Sequence, residues 1–354
     1  MNYQRNSNVI KIAGGGVAGL SAAISLKKFG FNPIIFEKNH VAGGNRHGDY
    51  EGLENWIFST SMKTFFNQVG FDFNKITSFP ISKFTVHSKF FSPLDISSKK
   101  PFFYMVKRGS NDQDFDSQLF EQCKDLGVQF VLGAKAPNDC SIVATGTKKA
   151  AAYIRGINFK SNLSNQVHLL LGNQFAPKGY AYLIILNGQG TLASAFKKQK
   201  RKKQNILENC LTYFKSTGID IHGEDQFGSC GSFSLPFQNF KLPFLIGESG
   251  GYQDYLFGFG MRMSMISGLS AALSLVGKEN DALKLIKDLN KKRRLSFVNR
   301  LLYERLNDRQ IASLAKKLAN IEDPLSILSE AYKWNIKNFM RWKNLDKRYE
   351  VRTT

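Results

Sequence analysis

Val9-Ile10-Lys11-Ile12-Ala13, then Gly14-Gly15-Gly16, then Val17-Ala18-Gly19-Leu20 onward to Phe29, and finally Pro33-Ile34-Ile35-Phe36-Glu37 form the stretch that decides the fold. Its first five residues make a short apolar strand, and three consecutive glycines turn the chain. Ala18, Leu20, Ala22, Ile24 and Leu26 then follow a helical pattern, apolar enough to pack on two neighbouring layers, until Gly30 stops it. Pro33 to Glu37 is a second strand, so strand, glycine turn, helix and strand follow one another as a parallel βαβ unit. The glycines stand at the spacing Gly14-x-Gly16-x-x-Gly19. The first permits the tight turn, the second lets backbone approach a pyrophosphate, and the third lets helix and strand pack closely. Val17 and Ala18 head a helix whose unpaired N–H groups suit phosphate charge. Glu37 lies eighteen residues beyond Gly19, followed by Lys38, where a carboxylate accepts hydrogen bonds from ribose hydroxyls. A glycine-rich turn without a ligand is the bland alternative, and it requires none of this surrounding pattern.

Outward from this unit, Ala42 to Trp56 is glycine-rich and polar and reads as a loop. Helices are predicted over Met62–Val69, Phe115–Leu126 and Met261–Val276, and strands over 82–92, 102–107, Val128–Leu132, Ser141–Ala144, Tyr180–Leu186 and Leu242–Ile246. Asn187-Gly188 is a strong hairpin turn. From Asn280 the chain is helical, basic and amphipathic. The expected fold class is α/β: a Rossmann-type dinucleotide-binding domain interleaved with a mixed-sheet substrate domain, followed by a C-terminal helical region. Residues 1–80, 108–150 and 226–276 are assigned to the first, 81–107 and 151–225 to the second, and 277–354 to the third.

Composition narrows the class further. The chain has 354 residues, 42% hydrophobic and 22% charged, which suits a globular protein and excludes a disordered or fibrous one. Lys and Arg number 49 against 28 Asp and Glu, a net charge of +21 that attracts polyanions without choosing among them. Cys123, Cys140, Cys210 and Cys230 form no CxxC pair, which argues against a zinc site or a disulfide framework and fits a reducing cytoplasm. No metal site is expected. The apolar stretch from Val9 to Leu26 is broken by glycines and reads as no signal peptide, and no run is long enough to span a bilayer.

Further segments resemble a known family. Ala42-Gly43-Gly44-Asn45-Arg46-His47-Gly48 follows the acidic strand as in the FAD-dependent reductases and hydroxylases of the p-hydroxybenzoate hydroxylase fold. Leu245-Ile246-Gly247-Glu248-Ser249-Gly250-Gly251, then Gly258-Phe259-Gly260-Met261, resembles their late segment, with Glu248 where the family usually has Asp. Ile142-Val143-Ala144-Thr145-Gly146 resembles the middle strand, and Arg108 ahead of Phe115-Asp116 and Leu119 is similar to an Arg-x-x-Phe-Asp-x-x-Leu signature with a longer gap. The resemblance implies FAD as cofactor, with Glu248 at the ribityl chain and the helix start at Met261 aimed at the flavin N1/O2 edge, where reduced flavin is negative. It also implies cofactor contacts from Gly44, Asn45, Arg46, Arg108, Thr145, Gly146, Gly247, Gly258 and Gly260.

Within that fold, Asp49-Tyr50-Glu51-Gly52-Leu53-Glu54-Asn55-Trp56 looks like a stretch of the geranylgeranyl reductase-related branch. Tyr180-Ala181-Tyr182-Leu183-Ile184 is similar to its Tyr-x-Trp-x-Phe-Pro strand, with Tyr182 for Trp and Ile184-Ile185 for Phe-Pro. The resemblance implies hydride transfer from reduced flavin to a double bond of an isoprenoid or other lipid-like substrate, with Tyr180, Tyr182 and Ile184 at the pocket. An ordinary core strand explains these residues equally. The branch's Lys-Pro-Cys element is replaced by Asn45-Arg46-His47, which leaves His47 as candidate proton donor against the commoner structural histidine. A flavin monooxygenase of the same fold and a non-catalytic flavin-binding protein are the alternatives.

No second glycine-rich βαβ unit is read, so NAD(P)H binding transiently, or a ferredoxin-like protein, is the expected electron donor. Basic residues crowd Lys197–Lys203, read as a solvated surface in preference to a headgroup or nucleic-acid contact, and the tail from Lys284 to Arg352. In the tail, Trp334, Ile336, Phe339, Met340 and Trp342 alternate with Lys333, Lys337, Arg341 and Lys343, the pattern of a helix lying on an anionic membrane; a helical cap over the substrate domain is the equal alternative. No recognition motif accompanies the charge, which argues against nucleic acid. The expected location is cytoplasmic or membrane-peripheral.

Overall fold

The computed structural model describes residues 8–146, 152–197, 205–223, 225–231 and 239–343. Three sheets organise them. In the first, strands β1 (Val9–Ala13), β2 (Asn32–Glu37), β8 (Gln129–Leu132), β9 (Ile142–Val143) and β15 (Phe244–Leu245) run parallel in the order β15-β9-β1-β2-β8. The order reverses at β1, which has β2 on one side and β9 on the other, so a crevice opens at their carboxyl ends. Helix α1 (Val17–Lys28) packs against helix α5 (Met261–Leu275) closely enough that a Cβ on Gly268 would lie 2.5 Å from the Ala18 carbonyl oxygen. Helix α2 (Met62–Val69) buries Phe65 and Phe66 and starts at Ser61, whose hydroxyl caps Thr64 N–H at 3.2 Å. Helix α3 (Phe115–Asp125) is fixed beside α1 by its buried face of Phe115, Leu119 and Cys123.

The second sheet has seven strands: β5 (Lys83–Ser88), β6 (Phe91–Ser97), β10 (Ala152–Lys160), β11 (Gln166–Leu171), β12 (Tyr180–Leu186), β13 (Gln189–Phe196) and β14 (Asp225–Gly231). Their order is β14-β10-β13-β12-β11-β5-β6, antiparallel except between β11 and β5. Asn187 and Gly188 both have positive φ, as a two-residue hairpin with right-handed strand twist requires. Helix α4 (Ile206–Ser216) covers one face through Cys210 and Phe214. The other face meets the third sheet, β3 (Tyr50–Glu54), β4 (Phe79–Ile81) and β7 (Phe103–Lys107), ordered β3-β7-β4, where Tyr50 and Met105 pack on Ile184 and Leu186. Helices α6 (Glu279–Arg305), α7 (Asp308–Ala319), α8 (Pro324–Glu330) and α9 (Ile336–Lys343) complete the described chain.

Several expectations are corrected. The stretch 42–56, read as a loop, contains β3, whose acids Glu51 and Glu54 hide its strand pattern in the sequence; in the fold Glu51 pairs with Arg108 and Glu54 lies 3.9 Å from Arg262. The predicted strand 82–92 bends at Lys89-Phe90 into the hairpin of β5 and β6. Residues 226–231 pair with β10 and join the larger sheet, not the dinucleotide domain, and 103–107 belong to the third sheet. Strands β10, β11 and β13 and helix α4 had no individual assignment. In β13 this reflects buried polar positions: Thr191 donates to Asn158 at 2.8 Å and Ser194 to the Phe175 carbonyl at 2.6 Å, so apolar alternation is lost.

Candidate functional site

The site begins at the turn after β1. Gly14 has φ of 100°, and a Cβ there would stand 2.5 Å from the Ala144 carbonyl oxygen of the strand opposite. A Cβ on Gly19 would come within 2.0 Å of the Gly14 carbonyl oxygen. At Gly16 a Cβ would meet no atom within 4 Å, so the crevice opens onto this residue. Helix α1 starts there with no side-chain cap and no acidic residue in its first turn, leaving Val17, Ala18 and Gly19 N–H groups to whatever anion enters. Glu37 closes the end of β2: its Oε2 accepts from Gly15 N–H at 2.8 Å, and its Oε1 from the backbone and side chain of Asn39 at 3.0 and 2.7 Å. Lys38 beside it is exposed.

Across the crevice, Thr145 and Gly146 follow β9, and Gly146 adopts φ of 71°. The Glu248 carboxylate lies 3.5 Å from where a Gly146 Cβ would be, and Ser249 donates to the Gly146 carbonyl at 2.9 Å. Gly247 (φ 57°) donates to Ser267 at 2.8 Å, which fixes the end of β15 against α5. Gly258 again has open space around it, and Gly260 begins α5 at Met261 without a side-chain cap or an acid in the first turn. Two uncapped helix starts, each beside an open glycine, thus belong to helices that pack against each other, α1 and α5.

Gly44, Asn45, Arg46 and His47 are exposed on the loop before β3. Arg108, expected to touch the cofactor, is buried and instead grips Asp116 through Nε and Nη2 at 2.8 and 2.7 Å, and Glu51 through Nη1 at 2.5 Å. Burial would raise both carboxyls, but the Arg108 guanidinium outweighs it and holds Glu51 and Asp116 below their ordinary values. Arg46 adds to this network, 3.6 Å from Glu51. The His47 ring stacks on Phe227 of β14 at 5.3 Å, while its carbonyl accepts from Asn158 at 2.7 Å. Sequence reasoning missed Asp49, which is buried beside these groups. Burial first, then Glu51, raises its carboxyl to about 6 against the opposing pull of Arg108 and Arg46.

Tyr180, Tyr182 and Ile184 share one face of β12, as alternate positions on a strand must. Ile184 is packed into the core with Tyr50, whereas Tyr180 and Tyr182 stay partly open, their rings 6.2 Å apart. Tyr180 donates its hydroxyl to the Phe257 carbonyl. An aromatic wall, also missed, adjoins them: Trp56 meets Phe103, Phe257 and Phe259 edge-on at 5.2, 6.2 and 5.2 Å. The signal for it was Gly52, whose missing side chain admits Phe103 and Phe259, a Cβ there being 3.2 and 3.3 Å from their rings.

A sequence family described as NAD(P)-binding Rossmann-like domain matches residues 12–74. No curated protein matches the chain. Among solved structures, a geranylgeranyl bacteriochlorophyll reductase-like protein from Thermoplasma acidophilum is 18% identical, with 97% of this chain and 96% of that one covered and a TM-score of 0.65. A triple mutant of the flavin-dependent brominase Bmp2 is 14% identical over 95% and 97% of the two chains, with a TM-score of 0.61. The tetracycline destructase Tet(55) is 13% identical over 92% and 97%, with a TM-score of 0.58. The chain shares the fold of these proteins.

The C-terminal region is built into this fold. Of the basic residues 291–294, Arg293 turns inward, donating to the Gly250 carbonyl at 3.2 Å and lying over the Tyr252 ring at 4.6 Å. Of the run 197–203, Lys197 is 2.6 Å from Glu304, and the remainder lies outside the described residues, as does the tail from 344. Among the described residues no helix is long and apolar enough to cross a membrane. No group of three or more His, Cys, Asp or Glu among them is placed to hold a metal ion.

Proposed function

We propose that the chain binds FAD in this crevice and is an oxidoreductase that reduces double bonds of an isoprenoid or other lipid-like substrate. The observation that carries the reading is Gly16: it alone of the three motif glycines faces open space, at an uncapped helix start, with the Glu37 carboxylate across from it. Gly16 and the α1 N–H groups would receive the pyrophosphate, Glu37 the adenosine ribose, Glu248 the ribityl chain, and Gly258 to Met261 the flavin ring edge. When bound and reduced, FAD supplies hydride chemistry. The protein's own part is to orient the substrate against the Trp56, Phe103, Phe257 and Phe259 wall and to exclude water there. An aromatic lining with few charges suits a lipid-like substrate, in keeping with the reductase-like likeness.

Among the described residues there is one glycine-turn βαβ unit, so electrons come from NAD(P)H bound transiently or from a ferredoxin-like protein. Ile336, Phe339 and Met340 of α9 are exposed beside Lys337 and Arg341, a surface suited to an anionic membrane that would hold the substrate. The test is to purify the protein, record its visible spectrum, reduce it anaerobically with dithionite and add a polyprenyl lipid extract. A flavin spectrum that the extract restores without oxygen is the expected result. Reoxidation by oxygen alone would replace the reductase reading with a monooxygenase or a non-catalytic flavin protein. A colourless protein that takes up no added FAD would remove the proposal.

A further inference from the structure

We propose that Arg262 is the positioning residue of the aromatic wall: its guanidinium holds residues 54–60 in one turn around itself and so fixes Trp56 where the substrate would lie. The wall's role as a substrate surface rests on the reductase reading above. Strand β3 ends at Glu54, and among the described residues no backbone–backbone hydrogen bond reaches residues 56–60. Before them, Asn55 is pinned to the chain ahead of β7, its N–H donating to the Phe102 carbonyl at 3.0 Å and its side chain to the Pro101 carbonyl at 2.9 Å. After them, Ser61 caps α2.

Arg262 supplies the missing ties. Its Nη1 donates to the Glu54 carbonyl at 2.8 Å and its Nη2 to the Thr60 carbonyl at 3.4 Å. The guanidinium lies 4.8 Å from the Phe58 ring and 4.2 Å from the Phe65 ring. Trp56 stands inside this turn, edge-on to Phe103, Phe257 and Phe259. No hydrogen bond of its own holds it there: the buried indole N–H has no aligned acceptor, Tyr332 being the polar group beside it. Ile57 next to it is buried in the core, but apolar packing is non-directional and satisfies no carbonyl. The place of the Trp56 ring is therefore set by the backbone on either side, by Asn55 before it and by the Arg262 fork around it.

The position of Arg262 is otherwise a poor one for a cation. It is the second residue of α5, where the helix dipole disfavours positive charge, and it is 0% exposed. A guanidinium buried there must be offset by hydrogen bonds, and the nearby acid does not make them. Glu54 Oε1 lies 3.9 Å from Nη1, beyond hydrogen-bond reach, and takes no hydrogen bond from the described residues. Burial raises the Glu54 carboxyl to about 7 against the pull of Arg262 and Lys292, and Asp254 adds to the rise. The fork thus serves backbone carbonyls, which a neutral Glu54 leaves to it. Since α5 starts at Gly260, the segment proposed for the flavin ring edge, one side chain ties that helix to the wall.

The test uses the full-length flavin-loaded protein labelled with 5-fluorotryptophan and buffered below neutrality, where Glu54 is protonated. Its three tryptophans give three ¹⁹F resonances, and Trp56→Phe identifies that of Trp56. Arg262→Met should shift or broaden the Trp56 resonance and leave those of Trp334 and Trp342 in place. Arg262→Lys keeps the charge but not the planar fork; it should displace the resonance in the same direction, and it carries the test if the Met variant does not fold. Glu54→Gln, with the shape of the neutral acid, should leave it where it is. In anaerobic reoxidation by a polyprenyl lipid extract, Arg262→Lys should raise the half-saturating extract concentration about tenfold and keep the maximal rate within about twofold, the mark of lost substrate binding. An unmoved Trp56 resonance in a folded Arg262 variant, an equal displacement in Glu54→Gln, or a lower maximal rate at unchanged half-saturation would each overturn the proposal. If the wild-type protein passes no electrons to the extract, the reductase reading fails and the substrate role of the wall with it, while the resonance still decides whether Arg262 holds Trp56.

Discussion

Gly14, Gly16 and Gly19 stand within six residues, yet an added methyl group meets something different at each. At Gly19 it would collide with the Gly14 carbonyl at 2.0 Å, rigid backbone that cannot give way. Gly19→Ala should therefore cost about 2 kcal/mol or more and lower the melting temperature with or without flavin. Gly16→Ala finds open space and should leave the apoprotein melt unchanged while weakening FAD retention roughly tenfold or more, because its methyl occupies the approach to the pyrophosphate. Parallel loss of stability in both variants would mean that Gly16 is packed and that no ligand enters there. Arg108 makes the opposite case, since its three charge-assisted hydrogen bonds are internal. Replacing it with Met strands Asp116 and Glu51, and should cost about 3–5 kcal/mol in a denaturant melt at neutral pH.

Helix α6 acts as a clamp on the turn that leads into α5. Ser296 accepts from Tyr255 and Leu256 N–H at 2.5 and 3.1 Å and donates to the buried Asp254. Arg300 reaches the Lys178 carbonyl at 2.8 Å, and Tyr303 the Gly179 carbonyl at 2.7 Å, just before β12 begins. One helix therefore ties the proposed flavin turn to the proposed pocket strand. Ser296→Ala takes the 2.5 Å acceptor from Tyr255 N–H and a donor from the buried Asp254 carboxyl, while Leu256 N–H keeps Asp254 at 3.3 Å, and should cost about 1–3 kcal/mol and speed FAD dissociation; a slower or unchanged off-rate would refute the clamp. The joint between β5, β11 and α4 is sensitive to pH. His87 bonds to His168 at 2.8 Å and to Tyr213 at 3.2 Å, and burial, then His168, lowers it from 6.5 to about 4. Between those two values the unfolded chain binds a proton that the folded chain refuses, so stability falls as pH drops from 6.5 toward 4, by on the order of 2 kcal/mol. Melts at pH 7 and 5 should show the fall, and His87→Gln should flatten it.

At the scale of the whole molecule, the proposed membrane contact rests on the charge of +21 and the apolar residues of α9. A surface helix with Ile336 at 84% exposure, flanked by Lys337 and Arg341, gains from an anionic bilayer twice, by burying apolar area and by releasing counterions. The full chain should sediment with vesicles containing phosphatidylserine, and added salt should weaken the association. Ile336→Asp with Phe339→Asp should reduce it about tenfold while leaving the flavin spectrum intact. Binding that ignores both salt and these substitutions would place any membrane contact elsewhere.

What the sequence alone determined is the local part: the βαβ unit with Gly14, Gly16, Gly19 and Glu37, the hairpin at Asn187-Gly188 and the helix from Met261. Each is a short-range pattern whose backbone demands are met by neighbours along the chain. Only the tertiary structure decided β3, the aromatic wall, the inward turn of Arg293, the ion pairing of Arg108 and the burial of Asp49. Their character depends on partners distant in sequence: Glu51 and Arg108 are 57 residues apart, and Arg262 and the Glu54 carbonyl 208 apart. A charged residue reads as surface until a counter-charge reaches it through the fold, and burial, which raises Asp49 and fixes Arg108, is a property of packing that no local pattern encodes.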